Sequence, residues 1–136
     1  MRVRDIVIVL VSYLVAAILA ALVVLWLFAL AERGWDWAGG WDGTLVWPAV
    51  YIVLVSAFVP FLLAIGVLRL LGRRGWLAHL LAGVAVSLVA QFVVWFGMRP
   101  TLAGLIESWP LLAGGAAAGL AYWAVRSWLA ARFASS

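Results

Sequence analysis

The sequence predicts an all-α protein, a polytopic membrane bundle of four antiparallel transmembrane helices. The chain of 136 residues is 69% hydrophobic and 10% charged, with a mean hydropathy of +1.22, which lies outside the usual composition of soluble domains. Four apolar runs are each long enough to cross a hydrocarbon core of about 30 Å at about 1.5 Å per residue. None alternates apolar and polar residues as a transmembrane strand would. Residues 1–136 are therefore expected to form a single transmembrane domain.

The predicted helices cover residues 6–30, 46–71, 76–98 and 110–131. The first apolar run exceeds the roughly 7 to 15 residues of a cleavable signal, so we expect it to remain as the first helix. The GRRG turn at 72–75 is too short for anything but a hairpin, which makes the second and third helices antiparallel neighbours.

A short interfacial helix is predicted at 101–109, before helix 4. Leu102, Leu105, Ile106 and Trp109 recur at positions i, i+3, i+4 and i+7. This spacing is typical of an amphipathic helix that lies on a membrane surface.

The basic residues, all arginines, are divided unequally between the two sides of the predicted bundle. Arg33 and Arg99 lie on one side, and the other seven lie on the side of both termini. Because the arginine-rich side of a membrane protein is usually cytoplasmic, both termini are expected to be cytoplasmic, in a bacterial inner membrane. The charge of +4 thus reflects topology, and the expected partner is the lipid bilayer and not nucleic acid. The seven arginines are Arg2, Arg4, Arg69, Arg73, Arg74, Arg126 and Arg132.

The outer loop 31–45 is rich in tryptophan, and two readings of it stay open. Trp35, Trp37 and Trp41, together with Trp109, are predicted at the outer surface. They could form an ordinary aromatic belt at the headgroup level, or a docking surface for a partner, since tryptophan is enriched at the centres of protein interfaces.

Small residues mark the faces by which the helices are expected to pack. Helix 1 carries Ser12, Ala16 and Ala20 at four-residue spacing, and helix 4 carries Gly115 and Gly119. Such small-xxx-small patterns let helix backbones approach closely. The sequence leaves open whether the glycine face packs within the bundle or against another chain, so both glycines are also candidates for contact with a partner.

A polar stripe follows one face of helix 3, because His79, Gly83, Ser87 and Gln91 recur every four residues. These residues could join helices by hydrogen bonds, or line a path for a substrate. In helix 2, Pro60 has no N–H and leaves the carbonyl of Ser56 without its helical partner. We expect Gln91 or Ser87 to donate a hydrogen bond to that carbonyl.

Reactive groups are scarce in the predicted membrane core. Cysteine is absent and His79 is the only histidine, while acidic residues are missing from the four runs. The sequence therefore predicts no enzymatic activity, no catalytic residue and no metal site. A single histidine could hold haem, or lie beside a quinone, only where two copies meet, so a haem or quinone site near His79 at a dimer interface stays an alternative.

Two functions remain on the sequence alone. The first is a structural or accessory subunit, bound to other membrane proteins or to further copies of itself. It rests on the abundance of contact residues beside the scarcity of reactive ones. The alternative is a small transporter or channel for a neutral or lipid-like substrate along the helix 3 stripe.

Overall fold

The computed structural model describes residues 2–33, 46–94, 106 and 109–135. It contains helices α1 (Val3–Arg33), α2 (Val46–Leu70), α3 (Trp76–Val94) and α4 (Trp109–Ala134). No strand occurs in these ranges, so the all-α prediction is confirmed. The loop segment 34–45 lies outside the described residues, as does the predicted interfacial helix 101–109 except for the exposed helical Ile106 and for Trp109.

Helix α1 is longer than predicted, by three residues at each end. At its start the backbone N–H of Arg2 donates to the Asp5 carboxylate at 3.3 Å, which satisfies one of the donors that a helix start leaves free. At its end Ala31, Glu32 and Arg33 are good helix formers. The prediction followed the apolar run alone, and helical propensity carries the helix beyond it.

The turn between α2 and α3 is closed by a Schellman motif at Gly72. The N–H of Arg73 donates to the carbonyl of Leu68 and the N–H of Gly72 to that of Arg69, both at 3.1 Å. Gly72 has a φ of 63°, a left-handed conformation that glycine adopts without steric cost. The motif reverses the chain at once, and the predicted hairpin is confirmed by the contact between α2 and α3.

The helices are arranged in a ring in which each contacts its two neighbours. Helix α4 packs closely against α1 and α3, whereas α2 approaches α1 and α3 less extensively. Both chain termini lie at the same end, because a guanidinium nitrogen of Arg4 donates to the carbonyl of Phe133 at 3.4 Å. We call this the arginine-rich end, since the seven arginines of the terminal side belong to the helix ends and the turn located there.

The small residues of α1 are buried, as predicted, and Ala20 contacts α4. Five small residues in the first two-thirds of α1 are at most 5% exposed. Opposite them, Gly114 lies so close to Ala20 and Val24 that a methyl group at Gly114 would overlap the Val24 side chain. The five residues are Ser12, Ala16, Ala17, Ala20 and Ala21.

Within the part of the chain that the structure describes, two helices are long and apolar enough to cross a membrane by length and composition, over Val3–Leu30 and Val46–Leu70. A shorter apolar stretch, Trp76–Phe92, lies in α3. Helix α4 contains glycine, tryptophan, tyrosine and two arginines, which lower its mean hydropathy. Large apolar side chains cover the outer faces of the helices: Tyr51 is 68% exposed and Leu63 65% exposed.

Candidate functional site: a central cavity

The four helices border a partly open cavity of about 440 Å³. This volume lies within the range of about 300 to 1,000 Å³ found for small-molecule sites. Its lining is almost entirely apolar, and no charged side chain is found among the described residues that form it. The cavity lies between α2 and the close-packed group of α1, α4 and α3.

Close contact between α3 and α4 forms one wall of the cavity. A methyl group at Gly115 would lie 2.6 Å from the carbonyl oxygen of Gly83, and one at Gly119 would overlap the carbonyl oxygen of His79. The two backbones thus touch at two successive turns, as small-xxx-small motifs allow. This contact removes bulky side chains from the wall and leaves space in the middle of the bundle.

Every residue of the helix 3 polar stripe lines this cavity: His79, Gly83, Ser87 and Gln91. The four-residue spacing turns them to one side of α3, and that side faces the interior because α4 and α2 flank it. Ser56 of α2 also lines the cavity. The sequence pattern located these residues correctly on one face.

The predicted hydrogen bond to the Ser56 carbonyl is wrong. Ser87 donates from Oγ to the carbonyl of Leu111 in α4 at 2.7 Å, and Nε2 of Gln91 has no hydrogen-bond partner. The physical reason is that the glycine contact draws the stripe toward α4, while α2 stands across the cavity. The Ser56 hydroxyl donates within its own helix to the carbonyl of Ile52 at 2.6 Å, and Pro60 is buried in α2.

Aromatic rings line the half of the cavity nearer the arginine-rich end. The ring of Phe61 in α2 lies 4.3 Å from Tyr13 of α1 and 5.1 Å from Tyr122 of α4, between ring centres. His79 stacks on Tyr122 at 6.0 Å, and the Tyr13 hydroxyl donates to the carbonyl of Leu54 at 2.8 Å. We call Tyr13, Phe61, His79 and Tyr122 the aromatic floor.

Sequence reasoning missed three of these floor residues, Tyr13, Phe61 and Tyr122. A signal was present for two of them, because a tyrosine inside an apolar run brings a hydroxyl that needs a partner when buried. Tyr13 is 8% exposed and Tyr122 3% exposed. Phe61 carried no comparable signal, since phenylalanine is ordinary on any face of a membrane helix.

The histidine is held in place by its own helix. Nδ1 of His79 lies 2.9 Å from the carbonyl oxygen of Gly75, and because a carbonyl only accepts, Nδ1 carries the proton. The residue is 4% exposed and lies inside the bundle. It is therefore not placed at an outer surface where a second copy could bring its own histidine, as the haem alternative requires.

Among the described residues, three buried polar atoms have no hydrogen-bond partner: Oγ of Ser12, Nε2 of Gln91 and the hydroxyl of Tyr122. Gln91 and Tyr122 line the cavity, near its two ends, and Ser12 does not. The guanidinium groups of Arg126 and Arg69 act electrostatically on the Tyr122 hydroxyl. The Gln91 amide has no such neighbour in the lining.

The structure gives less support to the residues predicted to contact a partner than to the polar stripe. Trp35, Trp37 and Trp41 lie outside the described residues, and Trp109, which begins α4, is 46% exposed. Gly115 and Gly119 are covered by α3. The glycine face is thus used within the chain, because α3 occupies the surface that a partner would need.

Comparison with protein-family models, with curated proteins and with solved structures found no match to this chain. The cavity and its lining are therefore the basis on which a function can be argued.

Proposed function

We propose that this chain is an integral membrane protein whose four helices all cross the bilayer, and that it binds a neutral, lipid-like molecule in the central cavity. One observation carries the proposal: an apolar cavity of about 440 Å³, bordered by all four helices and lined by no charged side chain among the described residues. Apolar walls with a few polar groups are the usual composition of small-molecule sites. A small transporter for such a molecule would first have to bind it, and this cavity is the proposed binding site.

The absence of charge from the lining sets the class of molecule. Transferring an ion into such a site without a counter-ion would be very unfavourable. A neutral apolar molecule loses little on leaving the hydrocarbon of a bilayer, and it gains contact with the cavity walls. The proposed ligand therefore comes from the membrane itself.

The burial pattern favours a cavity that is closed at one end. Tyr13, His79 and Tyr122 are buried at the floor, whereas the lining side chains that α2 and α3 contribute to the other half are at least partly exposed, Ile52 by 54%. Entry is therefore proposed beside α2, toward the end opposite the arginine-rich end. Transport across the bilayer would in addition require the aromatic floor to move.

The accessory-subunit role remains a second proposal. The tryptophans that would contact a partner in that role are Trp35, Trp37 and Trp41, which lie outside the described residues. The other candidate contact surface, the face of Gly115 and Gly119, is covered by α3. We also propose that the chain is not an enzyme, that the lipid bilayer is its surroundings, and that the arginine-rich end faces the cytoplasm of a bacterial inner membrane.

The test is to fill the cavity from one helix and to compare the result with an equal change on the outside of that helix. Ala82 lines the cavity, and Ala85, also on α3, is exposed. We expect native mass spectrometry of the purified protein to show bound lipid in the wild type and in Ala85→Phe, and none in Ala82→Phe. Equal lipid occupancy in both variants would contradict binding in the cavity.

A further inference from the structure

We propose that the cavity ligand is a neutral lipid carrying a carbonyl group, whose oxygen accepts a hydrogen bond from Nε2–H of Gln91. This inference rests on the proposed function, since it names the chemical class of the molecule that the cavity binds. It follows from the hydrogen-bonding state of the polar groups that line the cavity.

The first step concerns the unpartnered amide. Nε2 of Gln91 is buried without a hydrogen-bond partner, and a buried donor in that state is strongly unfavourable compared with one that is paired. Buried polar groups in proteins nearly always have partners. Gln91 is one of the residues that line the cavity, so a ligand bound there is the nearest source of the missing acceptor.

The second step concerns the neighbouring hydroxyls. Ser87 already donates to the carbonyl of Leu111, and Ser56 to the carbonyl of Ile52. A hydroxyl has one proton, so neither has a further donor to offer. Among the described lining residues of this half, Gln91 alone keeps an unused N–H, and the complementary ligand atom is an acceptor.

The third step excludes a charged acceptor and favours a carbonyl oxygen, which is a stronger neutral acceptor than an ether oxygen. A phosphate or carboxylate is an excellent acceptor, but the described lining residues of this half include no arginine or lysine to balance it. An ester or ketone oxygen accepts from an amide without bringing a charge. Acylglycerols and isoprenoid quinones share this chemistry, and both are membrane lipids with a neutral polar end and long apolar chains.

The fourth step concerns the shape of the ligand. Gln91 stands twelve residues from His79 on α3, which corresponds to about 18 Å along the helix axis. A cavity of about 440 Å³ over that length is narrow. Alanine and glycine form much of its wall between the amide and the aromatic floor. The site therefore fits a polar end at Gln91 with one slender apolar chain directed toward Phe61 and Tyr122.

The test compares matched ligands on the delipidated wild-type protein. The probes are 1-oleoylglycerol, which has an ester carbonyl, its ether counterpart without that carbonyl, and decylubiquinone. We expect the ester to bind about five- to tenfold more tightly than the ether. This ratio of affinities corresponds to the free energy of one ordinary hydrogen bond. The affinity of decylubiquinone relative to the ester distinguishes a quinone from an acylglycerol as the source of the carbonyl.

The Gln91→Met variant links this preference to the amide. Methionine keeps a similar side-chain length without the N–H, so we expect equal affinity for ester and ether. Removing an unpartnered buried donor should also raise the thermal stability of the delipidated variant, whereas loss of a merely structural contact would lower it. The wild-type ester and ether comparison needs no variant and stands even if Gln91→Met folds poorly.

The outcomes separate this inference from the proposed function. Equal binding of ester and ether by the wild type, or an ester preference retained in Gln91→Met, overturns the role of Gln91 while binding in the cavity stands. If no probe binds, or if Ala82→Phe binds the probes as the wild type does, the cavity is not the site and the proposed function fails.

Discussion

The carbonyl oxygen of His79 lies directly against the Cα atom of Gly119, with no space for a side chain between α3 and α4. A methyl group at Gly119 would overlap that oxygen and lie 2.9 Å from the His79 carbonyl carbon. The same contact recurs one turn away between Gly83 and Gly115. These two contacts fix how closely the helices approach, and hence the position of the cavity wall.

Gly119→Ala should destabilise the bundle. The added methyl group meets backbone atoms, which move only if the helices separate, so we expect a loss of about 1 to 3 kcal/mol in the free energy of unfolding. Equilibrium unfolding in mixed micelles measures this loss.

Gly66→Ala in α2 is the control, because nothing lies within 4 Å of its added methyl group. It should be neutral, or stabilising by the helical preference of alanine, about 0.5 to 1 kcal/mol. Equal effects of the two substitutions would argue against the close approach of α3 and α4.

Ser87→Ala should weaken the contact between α3 and α4 by a small amount. The variant loses the 2.7 Å hydrogen bond to Leu111 of the other helix. Such bonds between membrane helices contribute about 0.6 kcal/mol on average. Ser56→Ala loses a hydrogen bond only to its own helix and should change the unfolding free energy less. A larger loss in Ser56→Ala than in Ser87→Ala would argue against the Ser87 hydrogen bond as a contact that holds α3 to α4.

Tyr13→Phe should loosen α2 from α1. The substitution keeps the ring contacts with Phe58 and Phe61 and removes the hydroxyl that donates to the carbonyl of Leu54. We expect a loss of about 1 kcal/mol, measured by the same unfolding experiment. The control is Tyr51→Phe, since Tyr51 is 68% exposed on the outside of α2. A Tyr13→Phe variant as stable as Tyr51→Phe would show that this hydrogen bond does not hold α2.

The proposed topology can be tested by labelling single cysteines, because the chain has none of its own. If all four helices span the bilayer, a membrane-impermeant maleimide should label Gly40→Cys and Thr101→Cys on intact cells. It should label Arg73→Cys and Ser135→Cys only after permeabilisation. Thr101→Cys is decisive, because with only α1 and α2 spanning the bilayer it would lie on the cytoplasmic side. Protection of Thr101→Cys in intact cells would contradict the four-span proposal.

The sequence by itself determined the helices and the faces that they bury. The apolar runs predict α2 to within one residue, and the small residues of α1, from Ser12 to Ala21, identify its buried face. Glycine at position 72 predicts the sharp end of α2. These features are local, since propensity, hydropathy and turn chemistry depend on residues that are close in the chain.

Only the tertiary structure decided what the buried groups contact. Ser87 bonds to Leu111 and not to Ser56, and Gly115 and Gly119 contact α3 and not a partner. The floor is built by Phe61 contacting Tyr13 and Tyr122 from two other helices. The physical reason is that a polar stripe specifies which side of a helix is buried but not which neighbour it meets. The neighbour depends on how closely each pair of backbones can approach, and that distance is a property of two helices together.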